Sequence, residues 1–258
     1  MTKDWDPALY RAYEAERTQP AIDLLARVRA GGVVLAYDLG CGPGNSTELL
    51  ADRYSYADII GIDTSHAMIG SARMRLPGCR FETRDIASWR PQTRPDLIYA
   101  NAALQWVPDH EALFPRLLSF LAPGGTLAVQ MPDNDGEPSH RLMRETAENG
   151  PWADRIRRSI TPRIQTLPLT SYYDLLASQA TRIEIWRTVY HHRMETPAGI
   201  VEWVRGTGLR PYLDPLDLDE RNAFLAQYEA RIAEAYRPHT DGRILLPFPR
   251  KFVVATMI

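Results

Sequence analysis

Cysteine is nearly absent, with only Cys41 and Cys79 in 258 residues. Cys41 stands inside a glycine-rich run where a bridge would distort the backbone, so a disulfide framework is excluded and both residues are read as reduced thiols of a cytoplasmic protein. An excess of one charge is also lacking. The 30 basic and 32 acidic side chains leave a formal net charge of -2. They are scattered, without the basic stripe that neutralises a phosphate backbone, which disfavours nucleic acid as a partner. No apolar run approaches the roughly 18 residues of a membrane span. The opening Met1 to Asp6 carries no apolar stretch with a small-residue cleavage site, so no signal peptide is expected. Clustered His, Cys and carboxylate spacings are missing, so no metal site is expected. Internal repeats and low-complexity tracts are missing as well, and no obligate protein partner is evident. What is present is 45% hydrophobic residues in a chain long enough for a full core, as one elaborated domain or a domain with a cap.

From Val33 onward, short apolar runs alternate with amphipathic stretches, the pattern of a parallel sheet with crossover helices on both faces. Strands are expected at Val33 to Asp38, Asp58 to Asp63, Arg80 to Arg84, Leu97 to Asn101 and Thr126 to Met131. Helices are expected at Asn45 to Arg53, His66 to Arg75 and His110 to Leu121, the last stopped by Pro123, Gly124 and Gly125. The alternation then lapses through a proline-punctuated stretch with one helix, Ser139 to Glu148. A helix at Tyr172 to Gln179 and a strand at Arg182 to Met194 resume it. Residues 196–236 read as helical, and a last strand runs from Lys251 to Ile258. The division implied is a core over 1–134, an insertion over 135–170, a core helix and strand over 171–195, a helical insertion over 196–246 and a final core strand over 247–258. The two insertions would form a cap above the strands' carboxyl ends, where such sheets bind ligands.

The strongest chemical signal is Asp38, Leu39, Gly40, Cys41, Gly42, Pro43, Gly44, Asn45, Ser46, at the junction of the first strand and its helix. Glycine allows the tight turn and close approach of backbone N–H groups, while Asn45 or Ser46 can cap the helix. A nicotinamide turn would read G-x-G-x-x-G with a pyrophosphate at the helix N-terminus. Here the spacing is G-x-G-x-G, and Asp38 would repel a pyrophosphate but suits a cationic ammonium group. Asp63 lies about 20 residues past the glycines, the offset of an acid that grips a ribose diol. Asp85 and Ile86 follow the third strand, placed to accept from an adenine amino group and to pack on its ring. Asn101 ends the fourth, leading to Gln105 and Trp106. Singly, Asp38 or Asp63 reads equally as a helix cap or a solvated strand end. The concurrence of acids and glycines at four successive strand ends on one edge is what points to a nucleoside-bearing cofactor.

Residues Asp38 to Gly44, Gly61 to Ser65, Arg84 to Ile86 and Asp96 to Trp106 resemble the motifs of class I S-adenosylmethionine-dependent methyltransferases. That resemblance implies an α/β, doubly wound, seven-stranded, mostly parallel sheet with an antiparallel last strand. It implies S-adenosyl-L-methionine as cofactor, held by Asp38, Gly40, Gly42, Asn45, Asp63, Asp85, Ile86 and Asn101. A fuller resemblance, to the trans-aconitate 2-methyltransferase family, rests on Trp5 to Tyr10 with Glu16, Arg17 and Pro20, Asn101 to Pro115, Gln130 to Asn134, Tyr172 to Leu176, Thr207 to Pro211 and Ile244 to Arg250. Gln130 to Asn134 and Thr207 to Pro211 discriminate most, because methyltransferases in general do not require them. Thr161 to Thr170 and the loop at Gly31 and Gly32 depart from that family.

This resemblance implies esterification of a carboxylate on a small polycarboxylic acid. A carboxylate is already ionised near neutral pH, so in-line positioning and partial desolvation suffice without a His/Asp dyad. Guanidinium forks match carboxylates in two-point geometry, which makes Arg17, Arg210 and Arg250 the candidate substrate ligands. Tyr10, Gln105, Tyr172, Tyr173 and His191 are candidate hydrogen-bond partners, with Gln105 and Trp106 shaping the transfer channel. Any one Arg in so arginine-rich a chain also reads as a solvated charge, one of Tyr172 and Tyr173 belongs to a helix's apolar face, at most one of His191 and His192 faces a pocket, and Trp203 reads as packing. The alternatives are a methyltransferase of another small or carrier-linked acid, a non-catalytic S-adenosylmethionine-binding regulator, a nucleic-acid base methyltransferase and a nicotinamide oxidoreductase. A carrier would call for a basic patch and base methylation for a proline-aromatic turn after the fourth strand, neither of which is seen.

Overall fold

A computed structural model describes residues 14–160 and 164–258. The described chain divides into two compact units. Of the described residues, the first comprises 14–132, 164–188 and 250–258, and the second 133–160 and 189–249.

The first unit contains α1 (Glu14–Arg27), β1 (Leu35–Leu39), α2 (Asn45–Arg53), β2 (Asp58–Asp63), α3 (His66–Arg75), β3 (Arg80–Thr83), β4 (Leu97–Asn101), a single 3-10 turn (Leu104–Trp106), α4 (His110–Ser119), β5 (Thr126–Pro132) and α7 (Leu169–Leu176). The second contains α5 (Pro138–Glu148), α6 (Ala153–Ser159), α8 (Pro197–Arg205), α9 (Arg210–Leu213) and α10 (Leu218–Ala235). Two long strands, β6 (Ala180–Met194) and β7 (Ile244–Met257), contribute residues to both.

The seven strands lie in the order β3-β2-β1-β4-β5-β7-β6. Pairings from β3 through β5 are parallel, and β7 joins β5 antiparallel, with Gln130 opposite Phe252 and Pro132 opposite Arg250. The chain winds outward from β1 to β3 and then returns to the other side of β1 as β4. This reversal opens a crevice at the carboxyl ends of β1 and β4, where doubly wound sheets take ligands.

Strand alternation assigns each sheet face a different covering. On one face Leu39, Ile98, Leu127, Val129 and Met131 form a core with Leu113, Phe114 and Leu117 of α4 and Tyr172 and Leu176 of α7. Tyr99 and Phe252 belong to the opposite face, along which α1 packs over β5. There the Tyr99 hydroxyl donates to Ala21 O at 2.6 Å. Trp186 stacks on Phe252 with centroids 4.6 Å apart, and the Arg27 guanidinium caps the Trp186 ring at 5.3 Å. These contacts fix where α1 crosses the sheet.

In the second unit α10 packs on α5 and α8. Its N-terminus carries a capping box in which Asp217 and Glu220 satisfy each other's backbone N–H. Tyr228 donates to Ser139 O at 2.7 Å, and the Tyr236 hydroxyl accepts from Ser139 N at 2.9 Å. Trp152 packs 5.3 Å from Phe224, and Trp203 lies 4.3 Å from His192 and 5.7 Å from Phe248. His192 is the buried member of the adjacent histidine pair, and His191 is exposed.

The unit boundaries fall after 132, 163, 188 and 249, where sequence patterning gives 134, 170, 195 and 246. Helix α6 was not expected from the polar stretch 133–169, and β7 starts at Ile244 instead of Lys251. Pro247 and Pro249 lack only the donor half of a strand's hydrogen bonds, and Pro249 O still accepts from Asp133 N at 2.9 Å. No helix among the described residues is long and apolar enough to cross a membrane.

Candidate functional site

The turn between β1 and α2 is held from below by β2. Gly40 N and Cys41 N both donate to Ile62 O, at 2.7 and 2.9 Å. Gly40 sits at φ 72°, and a Cβ built there would lie 2.2 Å from the Ala103 Cβ. Only glycine meets both demands. Gly42, at φ 54°, has open space where a Cβ would stand, so its backbone is approachable by a ligand. Neither Asn45 nor Ser46 caps α2, contrary to expectation. The N-cap is Gly44, in the left-handed region and without a side-chain acceptor.

Asp38 has taken over that bracing role. Its Oδ2 accepts from Ser46 Oγ at 2.7 Å and Thr47 Oγ1 at 2.6 Å, tying β1 to the first turn of α2. Burial pushes its carboxyl up to about 6, against the two hydroxyl bonds that favour the ionised form, and the neighbouring Asp63 adds a further upward push. Oδ1 is buried with no hydrogen-bond partner among the described residues. An acceptor is thus left open at the end of β1 in a desolvated setting, where a cationic ammonium group is the best complement.

Asp63, at the end of β2, accepts from Gly42 N at 3.0 Å and Ser65 N at 2.9 Å, one bond on each oxygen. It therefore clasps the glycine turn to the start of α3. A carboxylate at the end of β2 is an acceptor of the kind that a ribose diol requires. Asp85 is exposed and accepts from Ala87 N at 2.8 Å. Beside it Ile86 is buried, and Arg116 of α4 fixes the loop by donating to Ile86 O and Ala87 O at 3.2 and 2.6 Å. The Ile86 side chain lies 3.8 Å from where a Cβ on Gly40 would stand, so the apolar residue packs against the glycine turn.

Beyond β4 the backbone departs from ordinary geometry. Ala102 stands at φ 54°, a conformation disfavoured for a residue with a Cβ. It is held by Ala102 N donating to Gln130 O at 2.9 Å and by Gln105 Nε2 donating to Ala102 O at 2.6 Å. Asn101 Oδ1 and Gln105 Oε1 are buried without hydrogen-bond partners among the described residues. Trp106 is half exposed.

A cleft beside the turn is lined by Arg17, Thr18 and Ala21 of α1, by Gly40 to Pro43, Asn45 and Ser46, and by Asn101. Its walls carry Asn101 and the open flank of Gly42. The donor set suits a nucleoside sulfonium: acids for ammonium and ribose, an apolar wall for adenine and a turn that admits close approach. Arg17 is thereby placed beside the glycine turn and Asn101.

The remaining candidates divide. Tyr172 is a correction: it is fully buried between α7 and α4, 4.4 Å from Phe114, and its hydroxyl bonds to His110 Nδ1 at 2.6 Å and accepts from Leu167 N at 3.0 Å. That hydroxyl is used inside the core. Arg250 is buried at 5% exposure on β7, on the same face as Phe252. Arg210 belongs to the second unit, where it pairs with Asp214 at 3.5 Å. Tyr10 lies outside the described residues. Reasoning from sequence missed Ser46 and Thr47 as braces of Asp38 and Arg116 as the clamp of the Ile86 loop, and named Gln130 only as the first residue of a family stretch. Their signal is weak, because single hydroxyls, arginines and amides are common on such elements. Both cysteines are free, and no group of three or more metal-ligand side chains occurs among the described residues.

Comparison with known proteins agrees with this geometry. Residues 10–212 match a family model described as a methyltransferase domain. The chain is 59% identical over 98% of both chains to a trans-aconitate 2-methyltransferase of Variovorax paradoxus, and 58% identical, again over 98% of both, to one of Methylobacterium radiotolerans. A relative of the same name from Yersinia pestis is 56% identical over 98% of each chain. Among solved structures, the YcgJ protein of Bacillus subtilis superposes with a TM-score of 0.60 at 13% identity, covering 93% of this chain and 98% of that one. A Haemonchus contortus phosphoethanolamine N-methyltransferase in complex with S-adenosyl-L-methionine gives 0.56 at 15% identity, covering 93% and 52%. With a methyl-donor crevice at its switch point and relatives that match it almost end to end, the chain belongs to the trans-aconitate 2-methyltransferase family of S-adenosylmethionine-dependent methyltransferases.

Proposed function

We propose that this enzyme transfers a methyl group from S-adenosyl-L-methionine to a carboxylate of trans-aconitate, or of a closely related small polycarboxylic acid, leaving a monomethyl ester and S-adenosyl-L-homocysteine. The observation that carries the acid substrate is the 59% identity running through 98% of both chains, which takes in the second unit as well as the sheet. A methyl-donor fold alone would leave the acceptor open.

Bound S-adenosylmethionine supplies an electrophilic methyl group on a cationic sulfur. The residues around it have four tasks. Asp38 Oδ1 accepts from the ammonium group of the methionyl end, with Arg17 and Asn45 on the adjoining wall. Asp63 accepts from the ribose hydroxyls, and Asp85 with Ile86 holds the adenine. Asn101, Gln105 and Trp106 surround the transfer region. The strained backbone at Ala102 fixes the last group in place. Arg250 offers a buried guanidinium to the acid, whose carboxylates need no deprotonation near neutral pH. Desolvation and in-line placement then account for the rate.

The test incubates the protein with methyl-labelled S-adenosylmethionine and a panel of dicarboxylic, tricarboxylic and carrier-linked acids, and identifies any ester by mass spectrometry. The expected product is a monomethyl ester of trans-aconitate, formed in preference to those of monocarboxylic and carrier-linked acids. Transfer to none of the free acids sinks the proposal. Arg250→Ala and Arg210→Ala in the same assay separate a contribution from the sheet from one made by the second unit.

A further inference from the structure

Gln130 has no role in the interactions described so far except through its backbone. Its side chain is wholly buried, and both Oε1 and Nε2 are without hydrogen-bond partners among the described residues. A primary amide in that condition is unfavourable inside a fold unless something else completes its bonds. Ala128 and Phe252, its neighbours on the same sheet face, are buried and apolar, so an apolar side chain would serve at position 130 if packing were its only duty.

Its position indicates what completes those bonds. Gln130 pairs with Asn101 on one side and Phe252 on the other, so the three side chains share one sheet face. On that face, Asp38 and the glycine turn lie at β1, the unpartnered Asn101 Oδ1 at β4, Gln130 at β5, and Arg250 one pair further on at β7. The cofactor residues occupy β1 to β4. Gln130 therefore lies between the donor end of the crevice and the buried guanidinium.

We propose that Gln130 is a positioning residue that holds the reacting carboxylate of the acceptor acid through its side-chain N–H2. This deepens, and rests on, the reading of the site as a carboxyl methyltransferase. A neutral amide suits this task. It orients an oxygen nucleophile by donating to it, but draws off less of its negative charge than a guanidinium would. Arg250, one pair further on, would then meet a carboxylate that does not react, and acids without a second carboxylate would lose that contact.

The experiment compares wild type with Gln130→Met, which keeps the volume and removes the amide, and Gln130→Glu, which replaces the donor with an anion. Labelled-methyl kinetics give KM and kcat for trans-aconitate, and calorimetry gives the affinity for S-adenosylhomocysteine and for the acid added to the protein saturated with it. In Gln130→Met, kcat/KM for the acid should fall about tenfold, equal to one net hydrogen bond of ~1.4 kcal/mol, with S-adenosylhomocysteine affinity within about twofold of wild type. Gln130→Glu should fall about a hundredfold at pH 8 and recover in part toward pH 6, a pH response that a purely structural role would not give. If S-adenosylhomocysteine affinity drops and the acid parameters hold, the amide serves the nucleoside and the proposal is overturned. No change in either overturns it too. Should the variants fail to fold, nitrogen-15 spectra of wild type saturated with S-adenosylhomocysteine decide: trans-aconitate must shift the Gln130 side-chain amide pair, and an unmoved pair refutes the contact. Failure of the parent reading looks different, because wild type would then esterify no acid at all.

Discussion

At the scale of single residues, Asp38 braces the fold and, in the proposed function, also receives the ammonium group of the methyl donor. The folded chain keeps the Asp38 proton up to about pH 6, while an unfolded aspartate releases it near 4. Between those values the folded state holds the extra proton. The stability tied to this group is therefore complete below about pH 4 and lost as pH rises through about 6. Asp38→Asn removes the dependence. Urea unfolding of wild type and variant at pH 4 and pH 7 should show the wild type losing about 2–3 kcal/mol relative to the variant over that interval. Parallel curves would mean the carboxylate is already ionised inside the fold. A bound cation draws the proton off, so S-adenosylmethionine should bind wild type more tightly above pH 6 than below, a gain absent from Asp38→Asn. Asp38, Asp63 and Asp85 were legible in sequence because their meaning lies in spacing from glycines and strand ends. Gln130 was not, because one polar letter in an apolar run reads the same whether its amide is satisfied or orphaned.

At the scale of elements, α2, α3, β2 and β4 have the bounds expected from patterning and turn chemistry alone. Their ends are set locally, as at Ser65, whose hydroxyl accepts from Met68 N at 3.1 Å to cap α3. Helix α7 shows what local reasoning leaves undecided. Tyr172 and Tyr173 are adjacent, and only the packing of α7 against α4 determines that the first is buried and the second half exposed. Burial holds His110 below the usual histidine range, and its Nε2 lies 2.9 Å from Leu104 O. With that nitrogen donating to the carbonyl, Nδ1 accepts the Tyr172 proton. Tyr172→Phe strands both Nδ1 and the Leu167 N–H in the core. It should cost about 2 kcal/mol in denaturant unfolding and leave KM for acid and donor unchanged. A raised KM for the acid with unaltered stability would return Tyr172 to the substrate site.

At the scale of the whole molecule, the absence of a histidine or lysine base among the described residues that line the cleft sets the expected pH–rate profile. With both substrates saturating, kcat should be flat from about pH 7 to 9, since carboxylates are ionised throughout that range. An ascending limb of unit slope would signal an acceptor that must lose a proton, such as a phenol, and would set aside ester formation. Composition and charge had already disfavoured nucleic acid, and glycine spacing had disfavoured a nicotinamide, because both depend on residue types and short separations that the chain displays directly. The sequence by itself determined the doubly wound sheet, the methyl-donor turn and the acids at the strand ends. Each follows from periodicity and separations of a few tens of residues. The tertiary structure decided that Arg17 borders the glycine turn, that Asp38 is dry enough to keep its proton, and that Asn101, Gln130 and Arg250 share one sheet face. The last relation joins Gln130 to a strand more than a hundred residues further along the chain through the β5–β7 register, and burial and hydrogen-bond satisfaction come into being only when the segments pack.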